Sequence, residues 1–160
     1  ISRYEKFKHY HKKYLGINLK DHEVQSLANK FSTIVVKKVI DSDYVPGVLD
    51  YLKNLYLGKK LFISTGTPTE EIKIILNEKK ISHFFSDVFG SPSNKIEHIY
   101  QILDKYSYKS DELLFYGDSQ TDLDAAKFYK IPFILIKNEF NKSMSNIIKS
   151  DSIVNFNRLI

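Results

Sequence analysis

The chain has 160 residues, the size of one ordinary domain or one domain with a small insertion. Apolar residues make up 42% of it, with 11 Phe and 11 Tyr, enough for a packed core, and no run approaches the ~18–20 apolar residues of a membrane helix. Cys is absent, which excludes disulfides, thiolate metal sites and a cysteine nucleophile, and the net charge of +5 comes from lysines spread along the chain rather than gathered into a nucleic-acid patch.

Residues 3–15, RYEKFKHYHKKYL, place Tyr4, Phe7, Tyr10, Tyr14 and Leu15 at helical spacing, and Gly16 ends that helix. Asp21 is predicted to cap a second helix, whose stripe is Val24, Leu27, Ala28, Phe31, Ile34 and Val35. The first forty residues therefore read as a helical pair without a strand. The pattern changes at Pro46. VPGVLDYLKNLYLGKK predicts an amphipathic helix ending at Gly58, and LFIST (61–65) a short buried strand. Thr67-Pro68-Thr69-Glu70 predicts a helix with Thr67 as N-cap and Pro68 in its first position, running to about Lys80. DVF (87–89), LLFYG (113–117), PFILI (132–136) and IVNF (153–156) follow as strands, with helices from SPSNKIEHIYQILDKY and over 121–130 and 141–149 between them.

Apolar, non-alternating strands separated by helices predict an α/β fold, a Rossmann-like parallel sheet with helices on both faces. Ligands in such sheets lie beyond the C-terminal ends of the strands. Three segments converge there. Thr65-Gly66 ends a strand ahead of a helix N-terminus, whose free N–H groups and dipole suit a phosphate. Lys95 stands in the first turn of a helix, where the dipole disfavours a cation unless an anion is near. Asp118 and Asp122, one helical turn apart, offer the carboxylate oxygens a hard cation such as Mg²⁺ takes, alongside water and phosphate oxygens. Each segment also has a plainer structural reading. Thr65 and Gly66 could be a strand end and a turn, Lys95 a solvated lysine, Asp118 a helix cap and Asp122 a favourable first-turn acid; Asp124 is read as such a bystander.

Taken together, the segments resemble the haloacid dehalogenase-like hydrolase superfamily, whose members are mostly Mg²⁺-dependent phosphatases. LFISTG is similar to its second motif, Lys95 in SPSNKIEHI to its third, and FYGDSQTD to its fourth. Order and spacing agree over residues 44–136, and the helical pair looks like most of the inserted cap of capped members such as phosphoglycolate phosphatases and β-phosphoglucomutases. The resemblance implies a partial helical cap over 1–43 and a core over 44–160. It implies that Thr65, with Ser64 as the alternative, and Gly66 bind phosphoryl oxygens, that Lys95 neutralises charge, and that Asp118 ligates Mg²⁺ with Asp122 doing so directly or through water. The implied substrate is a small phosphorylated metabolite, with no nucleic acid or membrane partner.

The departure from the family pattern lies in its first motif, Asp-x-Asp, whose first Asp attacks phosphorus and whose second moves the proton. Asp41 and Asp43 in VIDSDYVPG have the spacing. Asp43 is too close to Pro46 for the cap to follow, however, and VVKKVI continues the α-helical stripe. Both are read as hinge residues. Residue 1 is Ile and the single Met is Met144, so a longer or processed protein is expected, with the Asp-x-Asp strand upstream of Ile1 as a partner segment. In this fold that strand is central, between LFIST and LLFYG, so residues 1–160 alone are expected to be a poor free-standing domain and inactive. Residues 1–14 carry no secretory pattern, and a cytoplasmic setting is expected. The alternatives are a catalytically inactive relative that binds a phosphorylated ligand or a protein, and a phosphomutase on the same scaffold. A dehalogenase needs no Mg²⁺ and fits the Gly-Asp-x-x-x-Asp pattern less well. Arg3 is a candidate for an anionic substrate contact, with an ordinary surface role favoured.

Overall fold

A computed structural model describes residues 3–147, 151–157 and 159. Helix α1 (Arg3–Tyr10) continues as a wider π turn over His11–Leu15, and Gly16 ends it. Helix α2 (Asp21–Ile40) follows. Asp21 is its first residue rather than its cap. Its carboxylate is drawn outward to Lys8 at 2.7 Å, and Glu23 instead accepts from the backbone N–H of Lys20 at 2.7 Å. The two helices meet through Phe7 and Phe31, edge to face at 5.7 Å.

The remainder alternates strand and helix: α3 (Val48–Leu55), β1 (Phe62–Pro68), α4 (Thr69–Glu78), β2 (Asp87–Ser91), α5 (Lys95–Tyr106), β3 (Phe115–Gly117), α6 (Gln120–Phe128), β4 (Phe133–Ile136), α7 (Lys142–Ile147) and β5 (Ser152–Ile153). All strand pairs are parallel, β1 with β2 in one sheet and β3–β4–β5 in another. No ladder joins β1 to β3. Of the last predicted helix, residues 148 and 149 lie outside the described residues, and of IVNF only Ile153 is in a strand.

The thoroughly buried core lies where α5 and α6 cover β3 and β4, built from Ile99, Leu123, Ala125, Ala126, Ile131, Phe133 and Leu135. On the other side, Ile75 and Leu76 of α4 and Phe84 are buried. The α2 stripe is covered only in part. Val24 and Ala28 are buried, whereas Phe31 and Ile34 are 43% and 57% exposed.

The helical pair is tied to the α/β part by Arg3. Its guanidinium makes two bonds to Glu71 of α4, at 2.7 and 3.0 Å, and lies 5.0 Å from the Phe31 ring centre. Ser32 of α2 donates to the same carboxylate at 2.8 Å. Arg3 is thus neither a solvated surface residue nor free for a substrate. Further along, Lys79 donates to the carbonyls of Ile40 and Ser42 at 2.9 and 2.7 Å and covers the Tyr44 ring, clamping the connecting segment to the end of α4. Asp41 and Asp43 lie in that segment, exposed and outside any strand.

The hydrogen bond from Arg3 holds the Glu71 carboxyl below its usual value, against the opposing effect of burial. Its contribution is therefore complete above the unfolded-state value of about 4.3 and is lost as pH falls through the lowered folded value. Glu71→Gln is expected to destabilise by about 1–3 kcal/mol at neutral pH, with the difference from wild type shrinking in acid. Urea unfolding from pH 7 to pH 3 measures both.

Candidate active site

Strand β1 does not stop at Thr65. Its register with β2 runs Phe62–Asp87, Ile63–Val88 and Ser64–Phe89, then resumes at Pro68–Ser91. Thr65, Gly66 and Thr67 thus stand opposite Gly90 alone. This is a bulge, a device that re-aims side chains. Within it, the Thr67 N–H donates to Thr65 Oγ1 at 3.2 Å. The expected Thr67 cap is accordingly absent. Thr67 belongs to the bulged strand, Pro68 occupies the cap position without a side-chain cap, and α4 starts at Thr69. Gly90 permits the bulge, since a Cβ there would stand 2.4 Å from Thr67 O and 2.7 Å from Thr69 N.

The two candidate hydroxyls are distinguished by their partners. Ser64 Oγ is turned inward onto Nδ1 of His98, at 2.9 Å. Thr65 is half-buried and Gly66 exposed, both within the bulge that precedes α4.

Lys95 opens α5, capped by Asn94, whose side chain accepts from the N–H groups of Ile96 and Glu97 at 3.0 and 3.1 Å. The Lys95 ammonium donates to Asp122 Oδ1 and, at 3.3 Å, to Ser119 Oγ. The other Asp122 oxygen accepts from Ser119 Oγ at 2.6 Å and from its N–H at 3.1 Å. Asp122 is 4% exposed, so the carboxylate is both buried and fully engaged. It also lies directly against Gly117. A Cβ at 117 would stand 2.3 Å from Asp122 Cβ.

Asp118 is exposed, and its fixing comes from a loop after β4 that the sequence reading passed over. Asn141 is buried and donates to the carbonyls of Asp118 and Ile136, both at 2.9 Å, while Asn138 donates to Asp118 Oδ2 at 3.2 Å. The two asparagines also lock each other, since each side-chain oxygen accepts a backbone N–H from the other residue, at 2.9 and 3.1 Å. An Asn-x-x-Asn spacing directly after an apolar strand was the available signal. Tyr116, before Gly117, shares a 2.6 Å hydroxyl contact with Tyr51 of α3, and burial first, then that bond, pushes its pKa upward.

The structure thus joins Lys95 to Asp122 and anchors Asp118 beside them. Among the described residues no hydrogen bond links Thr65 to either. Asp118 has one carboxylate oxygen held by Asn138 and none of the described residues on the other, a donor that fits a hard cation completed by water and phosphate oxygens. Asp122 is committed to Lys95 and Ser119, so contact through a water suits it better than direct ligation. No group of three or more His, Cys, Asp or Glu forms a cation cage among the described residues, and no described helix is long and apolar enough to cross a membrane.

A parallel α/β fold with Thr65 in the bulge of β1, Lys95 opening α5 and Asp118 just after β3 agrees with the second, third and fourth motifs of the haloacid dehalogenase-like hydrolases. The model of that family matches residues 3–136, and the chain belongs to it. It is 33% identical to the phosphoglycolate phosphatase of Vibrio cholerae over 54% of this chain and 41% of that enzyme. The chain spans about half the length of the curated relatives it matches. Among solved structures, it is similar to a predicted phosphoglycolate phosphatase from Haemophilus somnus 129PT, with a TM-score of 0.80 and 20% identity over 99% of this chain and 77% of that one. It is also similar to the HAD-hydrolase YfnB from Bacillus subtilis bound to magnesium, with a TM-score of 0.77 and 18% identity over 98% of this chain and 68% of that one.

Because Asp122 fills the space a side chain at 117 would need, Gly117→Ala is expected to displace α6 and separate Lys95 from Asp122, costing about 1–3 kcal/mol or more. Ser119→Ala removes both the α6 cap and a donor to the buried Asp122 carboxylate, and is expected to cost about 1–3 kcal/mol. Parallel denaturant titrations of the two variants check both losses.

Proposed function

We propose that the protein is a Mg²⁺-dependent phosphatase acting on a small phosphomonoester, with phosphoglycolate the first substrate to try because curated relatives bear that name. The observation that carries this reading is the pair of half-buried Lys95 and buried Asp122, set beside the exposed, asparagine-held Asp118. A cation fixed at a helix start by a buried acid is placed to meet further negative charge, which is what a phosphoryl group brings.

In this reading Thr65 Oγ1 and the Gly66 backbone bind phosphoryl oxygens at the bulge, while Lys95 offsets charge on the nucleophile and on the phosphoryl group. Asp118 would hold Mg²⁺ by its free carboxylate oxygen, and Asp122 would contribute its charge from the outer side while orienting Lys95. The ion would add Lewis-acid polarisation of a phosphoryl oxygen. The nucleophile is an Asp on a strand upstream of Ile1, and the reaction passes through an aspartyl-phosphate. The lack of a ladder between β1 and β3 supports that assignment, because a parallel strand there would satisfy the facing edges of both sheets. Helices α1 and α2 would then be part of the cap, and the exposed Phe31 and Ile34 would be covered by upstream residues.

The test uses the natural full-length protein with Mg²⁺ and a set of phosphomonoesters that includes phosphoglycolate. Turnover is expected to stop with EDTA and to fall about 10²–10³-fold in Asp118→Asn, while residues 1–160 alone give none. Hydrolysis that persists in Asp118→Asn or in EDTA would overturn the reading.

A further inference from the structure

His98 is the most buried polar side chain described, at 1% exposure, and nothing in the chemistry above uses it. It lies on α5 three residues after Lys95, on the same side of the helix. Its two ring nitrogens reach two different strands. Nε2 is 3.1 Å from the carbonyl of Gly90 at the end of β2, and Nδ1 is 2.9 Å from Ser64 Oγ in β1. A carbonyl only accepts, so Nε2 carries the proton and Nδ1 accepts from the serine hydroxyl. Burial, the largest influence, lowers its pKa, which is consistent with a neutral ring.

These two partners are the boundaries of the bulge. Ser64 is the last residue in register before it, and Gly90 is the residue opposite it. We infer that His98 is a positioning residue for phosphate binding: by holding Ser64 and Gly90 on one ring it fixes the bulge that presents Thr65, and fixes it relative to the helix that carries Lys95. The charged groups acting on the ring are Glu97 and Lys95 of α5 itself, while the strands present uncharged groups, the Ser64 hydroxyl of β1 and the Gly90 carbonyl and Phe89 ring of β2, the last at 5.8 Å, with the Ser93 backbone beside them. The ring acts through its hydrogen bonds and not through its charge. The inference rests on the phosphatase reading, in which Thr65 and Lys95 meet the phosphoryl group.

The experiment measures inorganic phosphate affinity by calorimetry in the natural full-length protein, near pH 7.5, with thermal unfolding recorded for every variant. His98→Ala and Ser64→Ala are expected to weaken phosphate about tenfold, and their double variant no more than either alone, as for members of one hydrogen-bonded unit. His98→Gln, with one donor and one acceptor, is expected to restore part of the loss. Ile99→Ala, a buried neighbour on α5, controls for destabilisation alone. If it weakens phosphate as much, or if Ser64→Ala and His98→Ala bind like wild type while Lys95→Ala does not bind, the positioning role is wrong and the phosphatase reading stands. If Lys95→Ala binds phosphate like wild type, the phosphatase reading fails and takes this inference with it. Should His98→Ala not fold, Ser64→Ala, which leaves the ring in place, decides the matter.

Discussion

The arrangement hangs on a mostly buried ion pair, Lys95 with Asp122. No strand ladder spans from the β1–β2 sheet to the β3–β4–β5 sheet, so the two halves are held together by helix packing and side chains. Helix α5 touches both, lying on β1 through His98 and against α6 through Ile99 and its neighbours. The ion pair closes the same junction from the other end. Burying two charges costs several kcal/mol per ion unless the remaining polar atoms are satisfied. Ser119 satisfies them with its hydroxyl and its N–H, and Gly117 provides the space. The four residues constrain one another, so the geometry at the strand ends tolerates few substitutions.

Most of the fold was legible in the sequence because the strands are short, apolar and punctuated. LFIST, DVF, LLFYG and PFILI each carry a strand, although Leu61, Leu113, Leu114 and Pro132 lie just before theirs, and the helices between them follow the expected periodicity. Lys95, Asp118 and Asp122 were legible for a related reason. A lysine opening a helix, or two acids one turn apart after a strand, departs from what local energetics favours or needs. The errors were tertiary. Thr67-Pro68 has the local grammar of a helix start, but pairing with β2 and the close approach of Gly90 hold it in a strand. Asp21 has the chemistry of a cap, yet Lys8 draws it away. Arg3 could not be matched to Glu71 from sequence, because 68 residues separate them and many other acids were available.

Less legible in the sequence is the support beneath the site. Three polar or charged side chains are buried among the described residues, His98, Asp122 and Asn141, and all three lie at the C-terminal ends of the strands. Asp122 belongs to a recognisable motif and Asn141 to an Asn-x-x-Asn spacing, whereas His98 has no signal of its own. Buried polar groups are tolerated where their hydrogen bonds are complete, and each of these is complete only through partners distant in sequence. His98 reaches back to Ser64, and Asn141 to Asp118.

That clustering has a physical logic. A parallel strand ends with carbonyls and N–H groups that have no further ladder to join, and the segments leaving the sheet must still satisfy them. Asn141 does this for Ile136 and Asp118, and His98 for Gly90. The same bonds hold Asp118, and the strand segment carrying Thr65, in fixed positions at the edge where charge would be handled. Electrostatic catalysis gains most from groups that need no reorganisation when charge develops. In the proposed phosphatase, rigid support of the strand ends and preparation of the site would therefore be one requirement, met by buried polar side chains beneath residues that stay more exposed.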